Sequence, residues 1–439
     1  MNLPDEVEFI LNKLNKNNFK GYVVGGCVRD VLLGKSPKDW DITTNAKPEE
    51  IKSLFEKTID TGLKHGTVTV VLNNNNYEIT TFRIDGKYLD NRKPDKITFT
   101  SSLKEDLSRR DFTINSIVYN PKEGLIDYYG GINDLSNNLI RTVGNPDLRF
   151  NEDALRMMRA VRFASQLNFF IDKDTILSIV NNRYLINNIS TERIRDELCK
   201  ILTSDKPSFG INLLWATGLL NIILPEIVKM IGFNQRNPAH HKDVYEHTLL
   251  VLDNTSNDLI LRLSALLHDI GKPETFSIDE NGIGHFYKHH MKSMDIAKDI
   301  LQRLKFDNKT IEIVCIIVKN HMSRYDFLRD SSIKKFINRV GVENLDRLFQ
   351  LQIADIKGCR SPHDFSQVLK FQSKVNKILN EKQPLTVKDL AINGYDLMAI
   401  GIEPGVRIGK ILNELLEIVL KNPELNTKEK LLQFIKTLI

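Results

Sequence analysis

The sequence has few cysteines and lacks long apolar runs. Its four cysteines, in 439 residues, are Cys27, Cys199, Cys315 and Cys359, and they form no CxxC pair. This spacing excludes a disulfide framework or a cysteine zinc site and favours a reducing cytoplasm. No apolar run approaches the roughly 20 residues of a membrane-spanning helix. The acidic start MNLPDEVEFI lacks the basic and apolar regions of a signal peptide. We therefore expect a cytoplasmic protein with no membrane partner.

The sequence also has little excess charge of either sign. Its 61 basic and 56 acidic residues leave a formal net charge of +5, which is only a weak indication of a polyanionic partner. Hydrophobic residues make up 41% and charged residues 27%, which excludes a collagen-like or mostly disordered chain. At about 150 residues per domain, the length suits two to four domains.

The N-terminal part mixes strand and helix patterns. Segments 67–72 (TVTVVL) and 77–82 (YEITTF) are rich in β-forming residues and flank four asparagines, which predicts a hairpin. Residues 1–20 and Val28–Leu33 are typical of helices, and 39–43 (DWDIT) alternates as a strand does. These patterns predict an α/β head.

Beyond about residue 150 the pattern becomes helical. Long segments carry a 3.6-residue apolar period, and from there to the end we find no convincing strand. Polar stretches near 234–242 and 381–386 indicate seams between units. We predict four regions: a head (1–135), a helical neck (136–235), a helical body (236–365) and a helical tail (366–439).

Two short motifs in the head suit a metal and a phosphate. Asp39 and Asp41 are one residue apart, so on a strand both carboxylates project together, and such oxygen ligands suit Mg²⁺. Upstream, VVGGCVRD predicts a strand, a glycine turn and a helix start, where backbone N–H groups at Gly26 and the Arg29 guanidinium suit a phosphate. Either motif alone is more often an ordinary turn or strand end. Their combination in one α/β context is a much stronger signal.

The segment that holds both motifs, VVGGCVRDVLLGKSPKDWDITT, resembles the signature of the polymerase-β nucleotidyltransferase superfamily. In detail it is similar to the class II CCA-adding enzymes and the related bacterial poly(A) polymerases. The resemblance implies a polymerase-β-like head in which Asp39 and Asp41 hold two metal ions. One ion would activate the primer 3′-hydroxyl and the other would stabilise the leaving pyrophosphate. A third carboxylate is common in the superfamily, and Glu78 is the candidate, although strand alternation equally allows a solvent-facing residue.

Two further head segments are similar to the same family, and a loop lies where the family also has one. SRRDFTINS (108–116) resembles its second motif, which implies that Arg110 and Asp111 contact the nucleotide and its ribose. DYYGGINDL (127–135) resembles its third motif, which couples head and neck, and a plain glycine turn is the alternative. The polar segment 84–95 suggests a mobile loop. Its retention favours addition of the terminal A, because CC-adding members are shortened there.

The neck begins with NEDALRMMRAVRF (151–163), which we predict to be a helix. Asp153, Arg156 and Arg159 then share one side of that helix, and Arg162 has drifted further round. An exposed, salt-bridged helix is the ordinary interpretation of such charges. The segment resembles the family's EDxxR motif, which implies that Asp153 and Arg156 read the Watson–Crick edge of the incoming base. It also implies that Arg159 and Arg162 contact the nucleotide.

Two C-terminal features and one neck segment complete the resemblance. TERIRDEL (191–198) is similar to the family's fifth motif, which we interpret as a structural brace. GYDLMAIGIEPG (394–405) is similar to the tail of HD-bearing CCA-adding enzymes, which implies that the tail contacts tRNA. Six residues in the body match the ligand order of an HD phosphohydrolase domain: His247, His268, Asp269, His289, His321 and Asp355.

The HD resemblance implies a transition-metal site in the body. Neutral imidazoles and carboxylates are the usual ligands for Mn, Ni, Fe or Zn, although a lone histidine on an apolar helix is more often a core residue. Alignment of the following helix makes His289, rather than His290, the motif histidine. A retained phosphohydrolase activity is a further expectation from the resemblance.

The resemblance therefore implies an enzyme that adds or repairs the 3′ CCA of tRNA from CTP and ATP without a nucleic-acid template. Two alternatives stay open. The first is a poly(A) polymerase or a partial CC- or A-adding enzyme. The second is an HD phosphohydrolase whose head only binds nucleotide. The sequence gives no indication of the oligomeric state.

Overall fold

The computed structural model describes residues 1–86, 95–237, 242–323, 329–381 and 383–438. The chain divides into two units, Met1–Val228 and Lys229–Ile439. The finer division into head, neck, body and tail stays a prediction. In the part of the chain that the structure describes, we find no helix that combines the length and apolar character needed to cross a bilayer.

The strands of the first unit lie almost entirely before residue 141. They are β1 (Gly21–Val24), β2 (Ile42–Thr44), β3 (Thr58–Gly62), β4 (Thr67–Leu72), β5 (Asn75–Thr81), β6 (Arg83–Asp85), β7 (Ile97–Phe99), β8 (Val118–Asn120), β9 (Gly124–Ile126), β10 (Leu139–Ile140) and β11 (Phe170–Ile171). One mixed sheet has the order β3-β4-β5-β2-β1-β8-β9, in which β2 and β5 run parallel. This crossover places the start of β2 beside the middle of β5.

The helices of the first unit surround this sheet and then continue alone. They are α1 (Asp5–Lys16), α2 (Gly26–Leu32), α3 (Pro48–Leu54), α4 (Leu103–Ser108), α5 (Gly131–Ser136), α6 (Pro146–Glu152), α7 (Leu155–Leu167), α8 (Lys173–Asn182), α9 (Thr191–Leu202), α10 (Pro207–Ala216), α11 (Leu220–Ile223) and α12 (Pro225–Val228). A core of buried side chains, including Tyr22, Phe82 and Leu107, packs α4 against the sheet.

The second unit is largely helical. Its helices are α13 (Val244–Asp253), α14 (Leu259–Leu267), α15 (His289–Arg303), α16 (Asn308–Asn320), α17 (Asp330–Val340), α18 (Leu345–Gly358), α19 (Ser366–Asn380), α20 (Gly394–Ala399), α21 (Val406–Lys421) and α22 (Lys428–Leu438). One antiparallel hairpin interrupts them, formed by β12 (Phe276–Ile278) and β13 (Gly284–Phe286).

The predicted hairpin around the asparagines is confirmed. Strands β4 and β5 pair antiparallel, with Leu72 opposite Asn75. Asn73 and Asn74 between them have φ of 49° and 63°. Asparagine tolerates this left-handed conformation, which a two-residue turn of the hairpin type requires at both central positions. The turn is shorter than the four-asparagine run, because the last two asparagines belong to β5.

The expectation that no strand follows residue 150 is wrong. Strand β11 pairs in parallel with β10, and the β12–β13 hairpin lies in the second unit. These strands have two or three residues, too few to show an alternating pattern, and the partner of β11 is distant in sequence. The predicted loop over 84–95 is also partly wrong, because its first residues lie in β6. Residues 87–94 of that loop lie outside the described residues.

Candidate active site

The sheet brings two carboxylates to one edge of a cavity. Strand β2 begins at Ile42, so the predicted strand over 39–43 starts too early and Asp39 and Asp41 precede it. The Asp41 carbonyl still accepts a hydrogen bond from the Val24 N–H at 3.0 Å. Because Ile42 lies opposite Ile79 in the parallel pair β2–β5, one step back places Asp41 opposite Glu78. This register brings Glu78 to Asp41, and the negative charge of Asp39 also acts on Asp41.

The carboxylates form a cluster of like charge. Burial raises the pKa of Asp41, and the negative charges of Glu78 and Asp39 raise it further against the opposing charge of Arg110. Asp41 and Glu78 both line a cavity of about 360 Å³. Like charges held this close are unfavourable without a cation, and carboxylate oxygens on a rigid scaffold are ligands that suit a divalent metal ion.

The glycine turn after β1 lies against an arginine. Gly25 has φ of 82°, and a Cβ at this position would lie 3.2 Å from the Arg110 guanidinium. A side chain there would be strained and would crowd that arginine. Gly26 opens α2. Arg29 of that helix donates to Asn115 at 2.8 Å and pairs with its neighbour Asp30 at 2.7 Å.

Arg110 carries a guanidinium proton aimed at no partner. Its buried Nε–H has no hydrogen-bond acceptor among the described residues, and burial lowers the pKa of the group while Asp106 and Asp41 act to raise it. A buried donor without a partner costs about 1–3 kcal/mol. An anionic ligand in the cavity would supply the missing acceptor.

Asp106 is a buried carboxylate that accepts hydrogen bonds from several segments near the cavity, although the sequence analysis did not identify it. It is 0% exposed. Arg109 donates to it at 2.6 and 3.0 Å, Thr43 donates at 3.2 Å, and the Arg83 backbone N–H donates at 3.3 Å. It therefore connects strand β2, strand β6 and the arginine pair that ends α4.

We expect Asp106→Ala to be strongly destabilising. It would leave the Arg109 guanidinium without its buried counter-charge, and breaking a buried pair in this way costs about 3–5 kcal/mol. Urea unfolding of the purified variant measures the effect. Asp60 makes an exposed pair with Lys52, so Asp60→Ala is the matched control and should cost at most about 1 kcal/mol. Equal losses of unfolding free energy in the two variants would show that the contacts of Asp106 do not stabilise the fold.

Asp111 and Arg159 form a pair on the cavity wall. Arg159 donates to Asp111 from Nε at 2.8 Å and from Nη2 at 2.5 Å. The Asn115 amide and the Phe112 N–H also donate to this carboxylate. Burial alone would raise the pKa of Asp111, but the charge and hydrogen bonds of Arg159 outweigh it and the net shift is downward. Asp111 is therefore ionised and holds Arg159 in place.

Asp153 does not lie on the same helix as Arg156 and Arg159, contrary to the prediction. Helix α6 ends at Glu152 and α7 begins at Leu155, and Asp153 between them is extended with φ −139° and ψ 103°. Its carboxylate accepts the Leu155 N–H at 3.1 Å, as a capping residue does. The kink nevertheless brings Asp153, Arg156 and Arg159 to one cavity.

Arg193 is a cavity residue that the sequence analysis missed. It lies on α9, in the segment interpreted as a structural brace, and it lines the cavity. Its Nη2 and Nη1 donate to the two oxygens of Asp153 at 2.7 and 3.3 Å. A local pattern could not have revealed this contact, because the partners are 40 residues apart.

The cavity joins most of the predicted nucleotide site. Its lining includes Asp41, Arg110, Asp111, Asp153, Arg156 and Arg159, together with the candidate third carboxylate Glu78. Asp39, Gly26, Arg29 and Arg162 lie outside the lining. Arg162 is buried and pairs with Glu197 at 3.1 Å. The arrangement places acids that suit a cation at one side and guanidinium groups that suit phosphates beside them.

The third motif has a structural role in this unit. Asp134 is buried, accepts a hydrogen bond from Thr113 at 2.5 Å, and pairs with Arg141. A Cβ on Gly131 would lie 2.2 Å from the Thr113 carbonyl oxygen, so only glycine fits. This close packing fixes α5 against the segment that carries Asp111.

The second unit contains a separate buried cluster of histidines and aspartates. The six predicted residues divide into two groups whose ligand atoms lie within 4.8 Å of one another: His247, His268 and Asp355, and Asp269, His289 and His321. The groups adjoin, since His268 Nε2 lies 3.2 Å from Asp269. The ring of His290 is 6.0 Å from that of His289, centroid to centroid, and it is not part of either group.

The backbone orients three of these imidazoles. Nδ1 of His268, His289 and His321 each lies 2.7–2.9 Å from the carbonyl oxygen three residues earlier. Such a bond places the proton on Nδ1 and leaves Nε2 as the ligand atom. The buried Nε2 of His268 makes no well-aligned hydrogen bond among the described residues, although it lies 3.2 Å from an oxygen of Asp269. Burial also lowers the pKa of His321, which keeps that imidazole in the neutral form that metals bind.

Lys272 and a cavity adjoin the cluster. The buried Lys272 ammonium lies 2.7 Å from Asp269 and donates to Gln235 at 2.8 Å. Burial would raise the pKa of Asp269, but the interaction with His268 and the charge of Lys272 lower it well below its usual value. A cavity of about 310 Å³ is lined by members of the cluster, including Asp269, His289 and Asp355. A small anion could therefore reach the cluster.

Three family models match consecutive parts of the chain. Residues 21–141 match the "Poly A polymerase head domain", and residues 168–231 match the "Probable RNA and SrmB- binding site of polymerase A". Residues 286–435 match "tRNA nucleotidyltransferase domain 2 putative". Together with the mixed sheet and its clustered carboxylates, these matches define a nucleotidyltransferase with a polymerase-β-like head. Nucleotidyltransferases of this kind use divalent metal ions.

Relatives of known name cover nearly the whole chain. It is 36% identical to the CCA-adding enzyme of Ligilactobacillus salivarius, over 100% of this chain and 98% of that one. It is 37% identical to that of Levilactobacillus brevis, over 94% and 93%. The solved Bacillus stearothermophilus CCA-adding enzyme in complex with CTP matches with a TM-score of 0.74 at 31% identity, covering 100% of this chain and 99% of that one. The chain belongs to the CCA-adding enzymes, a family of tRNA nucleotidyltransferases.

Proposed function

We propose that this chain adds or repairs the 3′-terminal CCA of tRNA from CTP and ATP, with the protein itself selecting the base. The observation that carries the proposal is that one cavity is lined both by the acids Asp41 and Glu78 and by Asp153 and Arg156, the pair that we assign to base selection. The complex of the Bacillus stearothermophilus relative with CTP supports the same assignment.

The acids would hold the metal ions. Asp39 and Asp41 are the proposed Mg²⁺ ligands, with Glu78 as the third carboxylate. Burial raises the pKa of Asp41 most, and the charges of Glu78 and Asp39 add to that shift, which a bound cation would oppose. When bound, Mg²⁺ activates the primer hydroxyl and neutralises charge on the leaving pyrophosphate. The protein contributes the rigid register of β2 and β5, which fixes the acids before any ligand binds.

The arginines would bind the triphosphate. Arg110 offers its unpartnered Nε–H, and Arg159 lines the same cavity. We also assign Gly26, Arg29 and Arg162 to the nucleotide site, although these residues lie outside the lining of the cavity. Asp111 already accepts four hydrogen bonds, which is the ordinary capacity of a carboxylate. A ribose hydroxyl would therefore displace one of these donors when it binds to Asp111.

Asp153 and Arg156 would select the base. Arg156 donates to Glu152, to the Arg149 carbonyl and to the Arg109 carbonyl. These bonds use three of its five guanidinium protons, and we assign the other two to the base. Asp153 would accept from the amino group that cytosine and adenine share. Uracil and guanine present an oxygen there, which leaves buried groups unpaired at a cost of about 1–3 kcal/mol per contact.

Sizing the products tests this function against its nearest alternatives. The substrates are tRNAs that end at the discriminator base, after the first C, and after CC, each incubated with labelled CTP and ATP. We expect growth to CCA in every case and no extension beyond it. A ladder of A residues would indicate a poly(A) polymerase. Products that stop at CC, or start only from CC, would indicate a partial enzyme.

The second unit favours an additional function, a metal-dependent phosphohydrolase of the HD type. Six buried ligand-type side chains converge, and three of the histidines bond to the backbone through Nδ1, which leaves Nε2 as the ligand atom. This donor set fits a transition-metal ion, which would be held by His247, His268, Asp269, His289, His321 and Asp355. When bound, such an ion activates water for attack on a phosphoester.

We expect the purified protein to contain a transition metal that His268→Ala removes. Elemental analysis measures the metal, and hydrolysis of a cyclic nucleotide phosphate measures the activity. His290→Ala is the matched control, because that ring is a neighbour outside the cluster, and it should retain both. CTP incorporation should be unchanged in both variants. Protein that stays free of metal after growth and purification in Mn, Ni or Zn would contradict this second function.

A further inference from the structure

We propose that Phe163 is a positioning residue of the nucleotide site, whose ring gathers the guanidinium groups of three arginines assigned to that site. The inference rests on the proposed function, because it takes the cavity to be the place where a nucleoside triphosphate binds. Phe163 lies near the middle of α7 and is 7% exposed. By its sequence it is an ordinary core residue.

Three cations face this one ring. The Cζ atoms of Arg29, Arg159 and Arg162 lie 5.2, 5.4 and 4.1 Å from its centroid. A cation within about 6 Å of an aromatic face is attracted by the quadrupole of the ring, and more strongly where water is excluded. Since a ring has two faces, at least two of the cations share one.

The ring is what these arginines have in common. Each of them has its own carboxylate at hydrogen-bonding distance: Arg29 has Asp30, Arg159 has Asp111, and Arg162 has Glu197. These acids lie on three separate segments of the chain. Among the interactions of the described residues, Phe163 contacts all three guanidinium groups. Each acid pairs directly with one arginine, whereas removing the ring would remove a contact from all three.

Without the ring, the cluster would tend to spread. Burial lowers the pKa of Arg162 to about 10, and the charges of Arg159 and Arg29 act in the same direction. Mutual repulsion among the three guanidinium groups therefore opposes their clustering, and their carboxylate partners offset part of it. Holding cations together before the ligand arrives is pre-organisation, which strengthens binding by reducing the cost of ordering the site.

The ring is itself held in place beside the cavity. Phe112 meets it edge to face, with centroids 5.7 Å apart and planes at 80°. Phe112 follows Asp111, which binds Arg159 on the cavity wall. At the other side, the Arg29 guanidinium lies 3.6 Å from where a Cβ of Gly26 would be. The ring thus lies between the glycine turn and the cavity arginine.

Fluorinated phenylalanines separate the π interaction from packing. Replacing Phe163 with phenylalanines of increasing ring fluorination weakens the quadrupole while nearly preserving shape. We expect the KM for CTP and for ATP to rise together, by about tenfold across the series, with kcat within about twofold and CTP-over-UTP preference unchanged. The inhibition constant of inorganic tripolyphosphate should rise in parallel, because it reports on the arginines without a base.

Two comparisons make the result decisive. Phe169 is a buried ring six residues further on, with no guanidinium over it in the described part of the chain, so fluorinating it should leave these constants unchanged. Phe163→Leu should raise both KM values at least as much as the full fluorinated series. KM values and a tripolyphosphate inhibition constant that do not change across the fluorinated Phe163 series would overturn the inference. A wild-type enzyme that incorporates no CTP would instead overturn the proposed function.

Discussion

Asp41→Asn should reduce CTP incorporation into tRNA by about 10³-fold or more, with little change in folding. The substitution keeps the size of the side chain but removes the charge that a metal ligand needs, and the metal supplies several kcal/mol of transition-state stabilisation. At about 1.4 kcal/mol per factor of ten, a loss of about 4 kcal/mol corresponds to this reduction. Single-turnover incorporation at saturating CTP measures it.

The controls for Asp41→Asn address folding and charge. Asp60→Asn removes an exposed charge elsewhere in the same sheet, at a residue paired with Lys52, and should leave incorporation unchanged. The melting temperature of Asp41→Asn should equal or exceed that of the wild type, because burial and two neighbouring acids disfavour its charge. Turnover like that of the wild type would show that Asp41 holds no catalytic metal.

Asp153→Ala should lower the preference for CTP over UTP by about 10- to 100-fold. The variant removes the acceptor that we assign to the amino group of cytosine, and one such contact is worth about 1–3 kcal/mol. The loss should fall on the ratio of kcat/KM values, with a smaller effect on triphosphate affinity, because the phosphates contact other residues. Competition between CTP and UTP on tRNA that lacks CCA measures the ratio.

Arg193→Ala tests the same site indirectly, because Arg193 contacts Asp153 rather than the base. Its guanidinium holds both oxygens of Asp153, so its loss should relax base preference by a smaller factor than Asp153→Ala. The matched control is Arg195, two residues along α9, which pairs with its neighbour Asp196 at the surface. Arg195→Ala should retain wild-type preference. If both Asp153→Ala and Arg193→Ala keep the wild-type preference for CTP over UTP, then the kink at Asp153 does not select the base.

Local chemistry explains which parts of the site the sequence could predict. The asparagine turn was predictable because asparagine tolerates positive φ, and the structure confirms that turn at Asn73 and Asn74. The acids were recognisable as a pair from their spacing. The structure corrects the strand assignment, because Asp41 precedes β2, and it adds Glu78, which the β2–β5 register places opposite Asp41.

Long-range contacts explain what the sequence could not reveal. No proline or glycine marks the kink at Asp153, so the apolar period continued across it and predicted one helix. The only local signal was an aspartate at a position suited to cap the next helix. Arg193 and Asp106 reach the site through partners far apart in sequence. Alternating charges in TERIRDEL suited an internal brace as well as they suited a ligand cavity.

The central claim is that one cavity supplies both the metal-binding acids and the choice of base. A structure of this chain soaked with CTP and Mg²⁺ tests it most directly. We expect the triphosphate beside Arg110 and Arg159, metal density at Asp41, and the cytosine amino group within hydrogen-bonding distance of Asp153. Cytosine bound away from Asp153 and Arg156, or metal bound away from Asp41, would contradict the claim.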